Sequence, residues 1–174
     1  MDAKRGDEPG FQEGRTTVER TTDRELVTTR SFNGPARLVY EAWTRPELLK
    51  RWWAPKSTGL VLRACDADVR VGGGYRFEFS HPASPQPMVF FGRYLEVVPH
   101  ARLVWTNDES GDGPVTTVSF EEKGGRTLVV MREVFPSAEA LVRAAAGMEG
   151  TEGGMPESFS QLDGLLPSLR GNAG

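Results

Sequence analysis

Between Leu60 and Phe135 the chain reads as six β-like runs in direct succession: LVLRACDADVRV, YRFEFS, MVFFGRYLEVV, ARLVWTN, VTTVSFE and TLVVMREVF. They are separated only by GGG, PASPQP, PHA, DESGDG and KGG, which are turn chemistry. Connections of this length join antiparallel neighbours, because a parallel crossover needs a dozen residues or more. The run therefore predicts an antiparallel meander. Its clearest alternation is YRFEF, which sets Tyr75, Phe77 and Phe79 on one face and Arg76 and Glu78 on the other.

A sheet with one aromatic face needs a cover. In the segment MPESFSQLDGLL, Met155, Phe159, Leu162 and Leu166 follow helical spacing, so a C-terminal helix can lie across that face. Upstream, SAEALVRAAAGM carries Ala138, Leu141, Val142 and Ala145 on one stripe with Ser137 as N-cap. Before the meander, ELVTTRSF reads as a strand that stops at NGP, and Pro35 opens a helix whose stripe is Leu38, Val39, Ala42 and Trp43. The class is α+β: a curved antiparallel sheet of about seven strands around a long terminal helix, with two short helices after the first strand.

The second short helix lies in TRPELLKRWWAP. Thr44 and Glu47 have capping-box spacing, Pro46 falls in the first turn, and Pro55 ends the helix. Trp52 and Trp53 are adjacent, so on a helix they diverge by about 100° and cannot serve the same purpose. One is expected in the core and the other at a cavity mouth or in solvent.

Residues 1–22 hold only Phe11 and Val18 as large apolar groups and are expected to be a disordered tail; 23–169 form one domain, and 170–174 fray. A net charge of -3 gives no field to attract phosphates, which excludes nucleic acid as a partner. No apolar run is long enough for a membrane span, and the charged start does not read as a secretory signal, so a cytoplasmic location is expected.

Chemical motifs are sparse. Gly72–Gly74 lead into a strand and not a helix, so they read as a turn and not a phosphate loop. His81 and His100 lack metal-ligand spacing, Cys65 has no disulfide partner, and Asp66 with Asp68 reads as a solvated pair. No metal, cofactor or catalytic set is expected. Either Arg132 or Glu133 faces inward, and if it is Glu133, an apolar cavity would raise its pKa.

The segments VYEAWTRPELLKRWWAP, GGGYRFEF, FGRYLEVVPHARLVWT, VSFEEKGGRTLVVM and GGMPESFSQLDGLL, in that order, resemble the bacterial AHSA1-like branch of the START/Bet v 1-like SRPBCC superfamily. The resemblance covers roughly residues 24–169. It implies a helix-grip fold with a cavity between sheet and helix that holds lipophilic molecules in many relatives. The Hsp90 activator that names the branch resembles this chain only through its C-terminal domain; no counterpart of its N-terminal chaperone-binding domain is expected. The chain departs from the family pattern at Arg45, where Asp is common, and at Ala54, where Gly is common.

The expected function is binding of a small lipophilic ligand, with the protein a monomer or homodimer. The expected cavity residues are Trp52, Trp53, Tyr75, Phe77, Phe79, Phe91, Tyr94, Trp105, Phe120, Met131, Glu133, Met148, Met155 and Phe159. Two alternatives stand beside it. One is a polyketide cyclase or dehydratase with Glu133, Arg93, Tyr94 or His81 as proton shuttle; the other is a chaperone cofactor using an exposed patch at Trp52 and Trp53.

Overall fold

The computed structural model describes residues 15–146 and 154–171. Eight strands form one antiparallel sheet: β1 Thr17–Thr22, β2 Glu25–Phe32, β3 Val61–Ala67, β4 Gly74–His81, β5 Ser84–Val98, β6 Arg102–Thr106, β7 Val115–Lys123 and β8 Arg126–Val134. Their order across the sheet is β1-β2-β8-β7-β6-β5-β4-β3. The helices are α1 Ala36–Thr44, α2 Pro46–Trp52, α3 Ala138–Ala146 and α4 Met155–Gly171.

The meander is as expected, and the additional strand is β1. Its sequence, TVERTT, was expected in the disordered tail because it has almost nothing to bury, and five of its six residues are exposed. Pairing with β2, from Thr17 opposite Thr29 to Thr22 opposite Glu25, holds it through the backbone. Its charged residues suit a sheet edge, where they discourage pairing with another chain.

Curvature comes from irregular register. Register shifts interrupt the ladders at Tyr94/Glu96, Leu62/Ala64 and Phe79/His81, and such irregularities let a sheet bend. At Gly92 the fold is tight: a Cβ there would lie 2.0 Å from the Thr106 carbonyl oxygen, so only glycine lets β5 pass β6 at that point.

The sheet's concave face packs on α4 and α1. Phe159, Leu162 and Leu166 of α4 are fully buried against Phe32, Val39 and Trp43. The α4 helix runs through Pro167 to Gly171, further than the expected end of the pattern at Leu166. On α3 the buried pair is Ala140 with Leu141, packed on Phe135 and Leu26, while Val142 from the expected stripe is exposed. Ser137 Oγ accepts from the Ala140 N–H at 3.1 Å, in keeping with its place before the helix.

The capping box is absent. Thr44 is the last residue of α1, and its hydroxyl turns back to donate to the Tyr40 carbonyl at 2.9 Å. Arg45 precedes α2 instead, and its guanidinium takes the Glu47 carboxylate at 2.6 Å. The competing local bond to Tyr40 is one that a threonine at a helix end readily makes.

Candidate functional site: a cavity between sheet and helices

The wall nearest α4 is set by the WWAPKS segment. Trp52 is fully buried, and its Nε1 donates to the Ala42 carbonyl at 2.9 Å. Ser158 Oγ donates to the Trp53 carbonyl at 2.8 Å. Gln161 donates through Nε2 to the carbonyls of Trp52 and Ala54, at 2.8 and 2.9 Å, and its Oε1 accepts from the Lys56 N–H at 2.9 Å. Glu157 accepts from the Ser57 N–H at 2.8 Å and from the Ser57 hydroxyl. Three side chains spaced along α4 thus hold the segment that carries both tryptophans.

Held there, the Trp53 ring meets the Trp52 ring edge-on, with centroids 5.2 Å apart, and reaches Phe77, also edge-on, at 5.9 Å. It closes one side of a cavity of about 560 Å3. Trp53, Tyr75, Phe77, Phe79, Tyr94, Trp105, Met131, Glu133 and Met155, all expected at the cavity, line it.

Four other expected residues do not line it. Trp52 and Phe159 are buried in the core, where each packs on Trp43. Phe120 is also core, beneath Tyr40 and Trp43 at 5.6 and 6.2 Å. Phe91 is 45 % exposed on the convex face, because the register sets Phe90, not Phe91, opposite Phe77. Met148 lies outside the described residues.

Sequence reasoning did not place Trp43, Phe90, Asn107, Thr28 and Thr116 at the cavity, yet all five line it. Trp43 read as a core-stripe residue and is only 3 % exposed, yet it lines the cavity; its Nε1 has no hydrogen-bond partner among the described residues. The polar residues form a linked set. Tyr75 donates its hydroxyl to the Thr106 carbonyl at 2.6 Å and lies 3.2 Å from Asn107 Oδ1; Asn107 Nδ2 donates to Thr116 Oγ1 at 3.0 Å. Burial raises the pKa of both Tyr75 and Tyr94, so both phenols stay protonated.

Glu133 is the inward member of its pair, and Arg132 faces out to Glu25 at 3.3 Å. Register sets Glu133 between Leu26 and Thr116. Its half-buried carboxyl makes no hydrogen bond or ion pair among the described residues, and desolvation raises its pKa to about 7. Of the other groups considered for proton transfer, Tyr94 lines the cavity, while Arg93 is exposed and His81 Nε2 is engaged with the Thr58 carbonyl at 2.8 Å. Among the described residues no cluster of His, Cys, Asp or Glu could hold a metal, and no helix is long and apolar enough to cross a membrane.

A curved antiparallel sheet closed over a C-terminal helix, with a lined space between them, defines the helix-grip class, START/Bet v 1-like. Within it, the chain belongs to the family described as Activator of Hsp90 ATPase homolog 1-like protein, whose profile matches residues 33–167. Solved structures agree. A protein from Rhodobacter sphaeroides is 21 % identical with a TM-score of 0.78, covering 89 % of this chain and 99 % of its own. One from Chromobacterium violaceum is 31 % identical with a TM-score of 0.64, covering 83 % and 98 %. The AHSA1-like protein from Aeromonas hydrophila is 22 % identical with a TM-score of 0.61, covering 78 % and 90 %. No curated protein matches the chain by sequence.

Proposed function

We propose that this protein binds a small lipophilic molecule in the cavity between the curved sheet and the helices. The observation that carries the reading is a space of about 560 Å3 walled by Trp43, Trp53, Tyr75, Phe77 and Trp105. That size lies in the range of small-molecule pockets, and an aromatic wall with a few polar groups is their usual chemistry. Burial of apolar ligand surface, at roughly 25 cal/mol per Å2, drives binding with no reacting group required.

A second reading, an enzyme of the cyclase or dehydratase type, is favoured by one feature only. Glu133 stands on the cavity wall with a pKa raised to about 7 by desolvation, which suits a general base or acid at neutral pH. The chaperone-cofactor reading loses its surface: Trp52 is fully buried and Trp53 faces the cavity.

Native mass spectrometry of the protein as purified tests the first reading through a retained molecule released on denaturation. Titration with apolar probes, followed by the emission of Trp43, Trp53 and Trp105, tests it directly. Saturable quenching that Trp53→Ala weakens is the expected result; no retained molecule and no saturable response would end it.

A further inference from the structure

The cavity wall is largely aromatic and aliphatic, with hydroxyl and amide groups from Thr28, Tyr75, Tyr94, Asn107 and Thr116, and its one carboxyl among the described residues lies on a single register row. Across the sheet the partners run Arg20 on β1, Leu26 on β2, Glu133 on β8, Thr116 on β7 and Trp105 on β6. Arg20 is exposed and lies two strands from Glu133, bound to backbone carbonyls of its own turn, the nearer being Asp23 at 3.0 Å. Thr116 already accepts from Asn107. The hydroxyls of Thr116 and of Thr28 on β2 also stand on the cavity wall, yet no hydrogen bond joins either to Glu133, whose carboxyl is unpaired among the described residues. A carboxyl turned from bulk water into a cavity without a hydrogen-bond partner carries a free-energy cost, larger when it is charged. A ligand that brings the missing donor recovers that cost, whereas one that brings only an acceptor or an anion adds to it.

We propose that the site selects amphipathic ligands with an apolar ring body and a hydrogen-bond-donating head, an alcohol, phenol or amine, which seats on the Glu133 carboxyl beside Thr116. The inference rests on the ligand-binding reading above and adds the orientation: head toward β8 and β7, body against Trp53, Phe77 and Trp105. Trp105 is the cross-strand partner of Thr116, Trp53 and Phe77 line the same cavity, and none of the three has a charge to offer. An anionic head is selected against beside Glu133, because the one described cation that lines the cavity, Arg20, lies two strands away and is turned to the carbonyls of Thr22 and Asp23.

Isothermal titration calorimetry at about pH 8.5, where the Glu133 carboxyl is ionised and can only accept, with four probes that share one body separates the two ideas. 2-Naphthol carries a neutral donor, 2-(aminomethyl)naphthalene a cationic donor, 2-methoxynaphthalene an acceptor only, and 2-naphthoate an anion. The donor probes are expected to bind at least about tenfold tighter than the ether, a difference equivalent to about 1.4 kcal/mol, with the naphthoate weakest. The order of the two donors tells whether the head is charged. In Glu133→Leu and Glu133→Gln the donor-to-ether ratio should fall to near one, in the second because the amide can donate to the ether oxygen. Each variant's thermal melt reports its folding, and the glutamine variant decides if the leucine variant does not fold. Equal affinities in the unmodified protein, or a ratio that survives in both variants, would overturn the proposal and leave ligand binding standing. Failure of all four probes to bind would overturn both.

Discussion

The indole N–H of Trp52 donates to the carbonyl of Ala42, 2.9 Å away, and thereby fills a vacancy that the chain itself creates. In a continuous helix that carbonyl would accept from the residue four further on, but the residue there is Pro46, which has no N–H. The break between α1 and α2 is thus repaired by a side chain from the far end of α2. Trp52→Phe should lower stability by about 2 kcal/mol, because a buried carbonyl loses its donor and the smaller ring leaves a void. Trp53→Phe, on a half-buried ring, should cost about 1 kcal/mol or less and act mainly on probe binding. Urea unfolding of the two variants checks the contrast.

Arg30 and Asp163 join β2 to α4 at 2.8 Å, with the arginine side chain 7 % exposed. Arg30 also donates to Thr16 Oγ1 at 3.1 Å, and its Nε has no acceptor among the described residues. Removing only the carboxylate strands a buried cation, so Asp163→Ala should destabilise by about 2–4 kcal/mol. The double variant Arg30→Met with Asp163→Leu should recover most of that loss. Equal losses in single and double variants would show that the charge itself is not what matters.

Glu133 makes stability depend on pH in the direction opposite to a salt-bridged carboxylate. Its folded pKa is raised to about 7 from an ordinary 4.5, so between those values the folded state holds a proton that the unfolded state has released. Stability from this group is therefore fully present below about pH 4.5, falls as pH rises through 7, and is flat above. The loss should be on the order of 1–3 kcal/mol, allowing for partial exposure. Glu133→Gln should remove that slope from a plot of unfolding free energy against pH.

Cys65 sits on β3 with its thiol buried, and desolvation pushes its pKa up to about 12. The thiolate is the reactive form, so the native protein should react with a thiol reagent at pH 8 at least about a hundredfold more slowly than the guanidinium-unfolded chain. A fast native reaction would mean that β3 opens at the sheet edge.

How much of this could be read from residues follows from what each signal rests on. The meander and α4 were legible because turn residues and periodic apolar positions are local properties, and YRFEF alone fixed which side of β4 is aromatic. The divergence of Trp52 and Trp53 followed from helical geometry. Four things depended on long-range contacts instead. The strand β1 is held by the backbone of β2 and not by its own side chains, so composition hid it. Phe90 and Phe91 are adjacent on β5, and only the register with β4 decides which one faces in. Phe120 and Phe159 do lie inside, but α1 lays Trp43 over them, so they support the cavity from behind. The inward turn of Glu133 was likewise a matter of register with Leu26 and Thr116.

The bonds from Glu157, Ser158 and Gln161 to the backbone around Trp52–Ser57 bear on traffic in and out of the cavity. A wall tied by its main chain to the longest helix does not swing as a door, however aromatic it is. The rim offers a weaker place: Arg20 on β1, a strand that buries almost nothing, and Ala145 on α3 are both exposed where they border the space. Residence time of a bound molecule should then be set by fraying of β1, and amide hydrogen exchange there should be faster than in the tryptophan segment.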